Sequence, residues 1–157
     1  MAAVTDVTEP AGPAELTGLA EALRPLPKVE LHCHVEGTMR PETVGELGWK
    51  NAVALPDGDI RDLYRYGSLD EFLKIFWLVQ SLLKDQGDWE RLGYESVLDG
   101  AAAGRVYAEV FVTPARHLAH GQTLASVLAG LSAGLAAGNR AEFPASQPAL
   151  TFSGAAA

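Results

Sequence analysis

Cysteine is almost missing: Cys33 is the only one in 157 residues. No intrachain disulfide can form, which excludes the disulfide-framed secreted scaffolds and fits a reducing, cytoplasmic setting. Positive charge is also scarce, with 12 Lys and Arg against 20 Asp and Glu and a formal net charge of −8. That balance argues against a nucleic-acid backbone or an anionic membrane as the main partner. No apolar run approaches the ~18 residues of a membrane span. The N-terminus has no basic stretch leading into an apolar core, so no secretory leader is expected. What remains is a length suited to one ordinary domain, several helical periodicities and one dense motif.

The motif is Leu26-Pro27-Lys28-Val29-Glu30-Leu31-His32-Cys33-His34-Val35-Glu36-Gly37-Thr38. Side chains two apart on a strand share a face. A strand at about Val29–His34 would put Glu30, His32 and His34 on one face and Val29, Leu31, Cys33 and Val35 on the other. Two imidazoles on one polar face suit a metal such as zinc, although His-x-His alone suits an ordinary strand equally well.

Helical spacing marks Pro13–Leu23, ended by Pro25 and Pro27, and Pro41–Lys50, with proline in the first turn. Ser68-x-x-Glu71 reads as a capping box ahead of a stripe of Phe72, Ile75, Phe76, Val79, Leu82 and Leu83. Trp89–Ala103 and Thr123–Ala137 are further helical segments. Val106–Val112 alternates as a second strand, with Tyr107, Glu109 and Phe111 on one face. Glu109 there lacks an obvious partner, and a buried unpaired carboxylate is costly. His117 and His120 are expected to be solvated loop imidazoles. Strand, helices, strand, helix is the opening of a βα barrel, yet a closed (β/α)8 barrel takes ~250 residues.

The run PKVELHCHVEG followed by TMRPET resembles the N-terminal signature of the adenosine deaminase family, and the likeness continues through Ser68–Leu83 and Val106–Pro114 before fading near Gly138. The resemblance implies an α/β fold: the N-terminal part of a (β/α)8 TIM-type barrel, truncated. It implies zinc-dependent hydrolytic deamination of adenosine to inosine and ammonia. His32 and His34 would be the first two zinc ligands. His34, Glu36 and Gly37 would contact the substrate, a small purine nucleoside, with Glu36 on a sugar hydroxyl and Gly37 allowing close backbone approach. Leu69, Phe72 or Phe76 would touch the purine. An acid at Glu36 would repel a 5′-phosphate, which argues against AMP; adenine and aminofutalosine stay open as substrates. Family members often carry Arg where this chain has Phe111.

The family's third histidine, its aspartate and its acid/base residues come from later strands, and no segment here matches them. No catalytic acid or base is therefore assigned, the Zn2+ ligand set is incomplete, and a non-catalytic fragment is the other reading. A complementing C-terminal half or an oligomer would supply what is missing. The organisation expected is a flexible N-terminus at 1–12, a partial barrel at 13–137 and an atypical, disordered tail at 138–157.

Overall fold

A computed structural model describes residues 13–143. Helix α1 (Pro13–Leu23) leads into strand β1 (Lys28–His34), and a 3-10 turn, Val35–Thr38, follows directly. Helix α2 (Pro41–Lys50), a second 3-10 turn (Ile60–Tyr64), α3 (Leu69–Leu82) and α4 (Gln86–Ala102) then lead to strand β2 (Arg105–Phe111). A short α5 (Pro114–Ala119) and a long α6 (Leu124–Glu142) complete the described chain. The strands pair in parallel, and three helices make the crossover that a parallel pair requires.

Local chemistry sets the element ends. Asp85 caps α4 in a reciprocal box: its Oδ1 accepts from the Asp88 N–H at 2.9 Å, and Asp88 Oδ2 accepts from the Asp85 N–H at 3.2 Å. Ser68 Oγ accepts from the Glu71 N–H, but the Glu71 carboxylate takes the Gly67 N–H, so the expected box at α3 is offset by one residue. Gly104, at φ +78°, turns the chain out of α4. Its carbonyl then accepts from the Lys28 N–H at 2.9 Å, so one glycine both ends the helix and starts the strand pairing.

Trp89, Leu92, Gly93, Ser96, Val97 and Gly100 form the buried stripe of α4, at spacings of three and four. It packs on α6, whose Val127, Gly130, Leu131, Gly134, Leu135 and Gly138 are buried in turn. The helices approach very closely. A Cβ on Gly138 would lie 2.7 Å from Val97 Cβ, and one on Gly134 would lie 2.8 Å from the Tyr94 backbone nitrogen. The core continues through Ala108 and Val110 of β2, and Val112 just beyond it, to Val35, Val44, Val79 and Leu82. The composition shift at Gly138 lies inside α6, which runs to Glu142; residues 1–12 and 144–157, with the expected flexible terminus and most of the expected tail, lie outside the described residues.

β1 departs from regular alternation. Its register against β2 shifts between Lys28 and Val29 and again between Glu30 and Cys33. Glu30 therefore does not share the histidine face. It pairs with Arg105, which also donates to the Ser96 carbonyl under α4. Glu30 also faces Cys33; burial, then the nearby Glu30 charge, push that thiol up to about 11, so it is a packing group rather than a nucleophile. Val29 and Leu31 stand 59% and 61% exposed, so the outer part of β1 is uncovered among the described residues.

Candidate active site

With Glu30 turned away, the histidine face of β1 reduces to His32 and His34, both exposed. Their Nε2 atoms stand 3.4 Å apart. Two nitrogens each roughly 2.0–2.1 Å from a tetrahedral zinc are about 3.4 Å apart, so the pair already holds the spacing of one edge of such a site. Among the described residues no group of three or more His, Cys, Asp or Glu converges on a metal position. The residues present thus fit two of the three or more protein donors that zinc takes.

The rings are held from the end of β2 and the residues just after it. His32 stacks on Phe111, centroids 4.5 Å apart at 28°, so the phenylalanine at the position where the family often has arginine serves as a platform. His34 Nδ1 lies 3.1 Å from Thr113 Oγ1. A metal-facing Nε2 must be unprotonated, which puts the ring proton on Nδ1, where the Thr113 hydroxyl accepts it.

Thr113 has a second contact. Its backbone N–H donates to Glu36 Oε1 at 2.8 Å, and Gln80 Nε2 donates to the same oxygen at 3.3 Å. Glu36 is fully buried. Burial alone would raise its pKa; the neighbouring His117, the Thr113 N–H and Gln80 outweigh that and hold the carboxyl below its ordinary value. Gly37 is exposed beside Phe76, and a Cβ there would meet only that ring at 3.8 Å, an ordinary contact distance.

His117 corrects the sequence expectation. It lies on α5, is 2% exposed and meets the Trp89 indole edge-on at 4.6 Å. Its Nε2 is 3.5 Å from Glu36 Oε1, an electrostatic contact rather than a formed hydrogen bond, since that nitrogen has no hydrogen-bond partner among the described residues. His120 is exposed and turned back on the Arg116 carbonyl. The shortness of α5 hid this division: six residues give no readable period, yet one turn is enough to send His117 inward and His120 outward. Glu109, for which the sequence offered no obvious partner, accepts from the Tyr107 hydroxyl at 3.0 Å, its i−2 neighbour on the same face.

Beside His34 opens a cavity of about 670 Å³, walled by Phe72, Phe76 and Trp77 of α3, by Gln80 and Thr113 near its floor, and by Arg116. Of the three residues expected at a substrate, Phe72 and Phe76 line it, while Leu69 is 69% exposed and does not. A second hollow, of about 560 Å³ between α2 and α4, touches neither histidine. The chemistry belongs to the cavity that His34 borders, which is mostly aromatic with few polar groups.

A histidine pair on the first strand of a parallel βα unit, opening on an apolar cavity, defines the metal-dependent amidohydrolase class. The sequence profile of the adenosine deaminase family matches residues 27–146, and the chain belongs to that family. It is 39% identical over 111 residues to an adenine deaminase of Streptomyces coelicolor, covering 69% of this chain and 33% of that one. An adenine deaminase of Gibberella zeae is 38% identical over 115 residues, covering 68% and 33%. The chain thus spans about a third of the length of these curated relatives.

Among solved structures, the adenine deaminase of Arthrobacter aurescens superposes at a TM-score of 0.69 with 27% identity, over 82% of this chain and 38% of that one. The N6-methyl-AMP deaminase of Arabidopsis thaliana superposes at 0.61 with 27% identity, over 85% and 40%. An amidohydrolase of Burkholderia ambifaria, solved with bound Zn, shares the fold at a TM-score of 0.74 over 93% of this chain and 39% of that one. The α/β architecture is accordingly the opening part of an amidohydrolase (β/α)8 barrel. No helix among the described residues is long and apolar enough to cross a membrane.

Proposed function

We propose that this chain provides the metal-holding opening part of a hydrolase that removes the exocyclic amino group of a 6-aminopurine as ammonia. The observation that carries the reading is the approach of His32 and His34 Nε2 to 3.4 Å, with His34 on the edge of the apolar cavity, within a chain of the adenosine deaminase family. Zinc, when bound, would supply a water acidified toward neutrality. The chain's own residues do the rest of what can be assigned. His32, seated on Phe111, and His34, with its tautomer fixed by Thr113, hold two donor nitrogens in register. Phe72 and Phe76 offer ring faces to a planar purine and keep water from it.

Glu36, two residues beyond His34, is tied to Thr113 and Gln80. In this arrangement it braces the base of the site, and binding a sugar hydroxyl would require its free Oε2 to reach the cavity. The remaining metal donors and the acid and base come from sequence outside the described residues, from a complementing polypeptide or from an oligomer. Among substrates, the adenine deaminases at 39% and 38% identity favour adenine over the adenosine suggested by the opening motif alone.

The test is ammonia release from adenine and adenosine by the purified 157-residue chain with zinc supplied, beside His32→Ala. Activity abolished in the variant supports a working site built on this strand. Equal release by parent and variant refutes the assignment of His32. Zinc titration of both proteins gives an independent reading: the parent should bind more tightly than His32→Ala whether or not turnover occurs.

A further inference from the structure

Five arginines of this acidic chain are paired with carboxylates. Arg40 meets Asp99, Arg61 meets Glu42, Arg65 meets Asp62, Arg91 meets Glu46 and Glu95, and Arg105 meets Glu30. Arg24, Arg116 and Arg140 have no carboxylate partner among the described residues; of these three, Arg116 alone lines the cavity beside His34. Its Nε is buried without a hydrogen-bond partner. Its guanidinium lies 5.4 Å from the centroid of the Trp77 ring, a cation–π contact that holds the group in place without neutralising it. Among the described residues no acid lines the cavity, and its ionisable side chains are His34 and Arg116. Glu36, the nearest acid along the motif, lies beneath the floor with its Oε1 committed to Thr113 and Gln80.

A fixed, unpaired guanidinium in an apolar wall has a full set of donors and no acceptor, and buried donors left unmatched are costly. Carboxylates and phosphates, each offering two oxygens at the spacing of the guanidinium fork, fit it best. We infer that Arg116, seated on Trp77, is an anion subsite that binds a phosphate or carboxylate carried on the tail of the aminopurine substrate. The inference rests on the aminopurine reading above but, against the preference for adenine drawn there from the relatives, narrows the substrate class to anionic derivatives such as a nucleoside monophosphate. It also reverses the expectation that Glu36 excludes a 5′-phosphate, because the charge facing the cavity is positive.

The test is calorimetric titration of the 157-residue chain with AMP, adenosine, adenine and inorganic phosphate, repeated with Arg116→Gln and with Arg116→Lys. The parent should bind AMP at least about tenfold more tightly than adenosine, the scale of one charge-assisted hydrogen-bonded contact. Arg116→Gln should erase that ratio, and Arg116→Lys should keep part of it. Thermal melts matching the parent show that both variants fold. Phosphate bound by the parent and not by Arg116→Gln, with no purine bound at all, supports the subsite and sinks the aminopurine reading instead. Adenosine bound as tightly as AMP by the parent, or an AMP preference unchanged in Arg116→Gln, overturns the subsite.

Discussion

Gly134→Ala should be among the most damaging single-methyl additions to this chain. A Cβ there would overlap the Glu90 carbonyl oxygen and lie 2.8 Å from the Glu90 carbonyl carbon and the Tyr94 nitrogen, where unstrained contacts begin near 3.5 Å. These are backbone atoms of α4 and cannot rotate aside, so α6 must move off by about 1 Å and loosen the packing around Leu131. Overpacking of this kind costs roughly 1–3 kcal/mol, with a rigid obstacle placing it at the upper end. The better helix propensity of alanine returns about 1 kcal/mol. The expected net loss is about 2 kcal/mol, or about 4–8 °C in Tm at this chain length. Gly18→Ala in α1 is the matched control, because nothing lies within 4 Å of its added Cβ, and it should be neutral or stabilising by up to ~1 kcal/mol. Urea melts followed by far-ultraviolet circular dichroism measure all three proteins. A Gly134→Ala chain as stable as its parent would refute the claim that α4 and α6 are in backbone contact.

Thr113→Val removes the hydroxyl that accepts from His34 Nδ1 while keeping the N–H to Glu36. Zinc affinity should fall about tenfold with little change in melting, as read by competition with a chromogenic chelator. Asp88 is buried and takes Lys50 Nζ at 2.7 Å, Asn51 Nδ2 at 2.9 Å and the Lys84 N–H at 2.8 Å. Asp88→Ala strands those donors and should cost about 3 kcal/mol by chemical denaturation. The Asp85 carboxyl is held below its ordinary value by Lys50 and then by the Asp88 N–H. Its stabilisation is therefore complete above the unfolded value, and it is lost as pH falls through the lower folded one. The stability gap between parent and Asp85→Ala should be flat at neutral pH and narrow below about pH 4; a gap that widens in acid would contradict the Lys50 pairing.

The element order was readable because it rests on local signals. Pro41 in a first turn, the apolar stripe of α3 and the alternation of β2 each act within a dozen residues. The histidine pair was readable because strand alternation holds from His32 to His34. It fails between Glu30 and Cys33, where the register shifts, and no local signal announces a shift that is set by the partner strand. Gly130, Gly134 and Gly138 recur every fourth residue, so the close helix face was written in the chain, but the leucine periodicity marked the buried side of α6 without showing how near the two backbones come. His117 and Arg116 were hidden for a different reason. Their roles depend on Trp89, Glu36 and Trp77, each distant in sequence, and on a six-residue helix whose orientation is fixed only when α6 docks on α4.

Thr113 holds both the imidazole of His34 and the carboxylate of Glu36, one through its side chain and the other through its backbone. The two attachments share one Cα, so the junction from Phe111 to Pro114 has no slack in length. Gaining or losing a residue there would break both attachments at once and swing α5 with them. The stretch from Asn51 to Asp59 makes no contact with either histidine ring. Divergence in loop length among natural relatives should accumulate in that stretch, while the few residues after β2 should keep a constant count even where their identities drift.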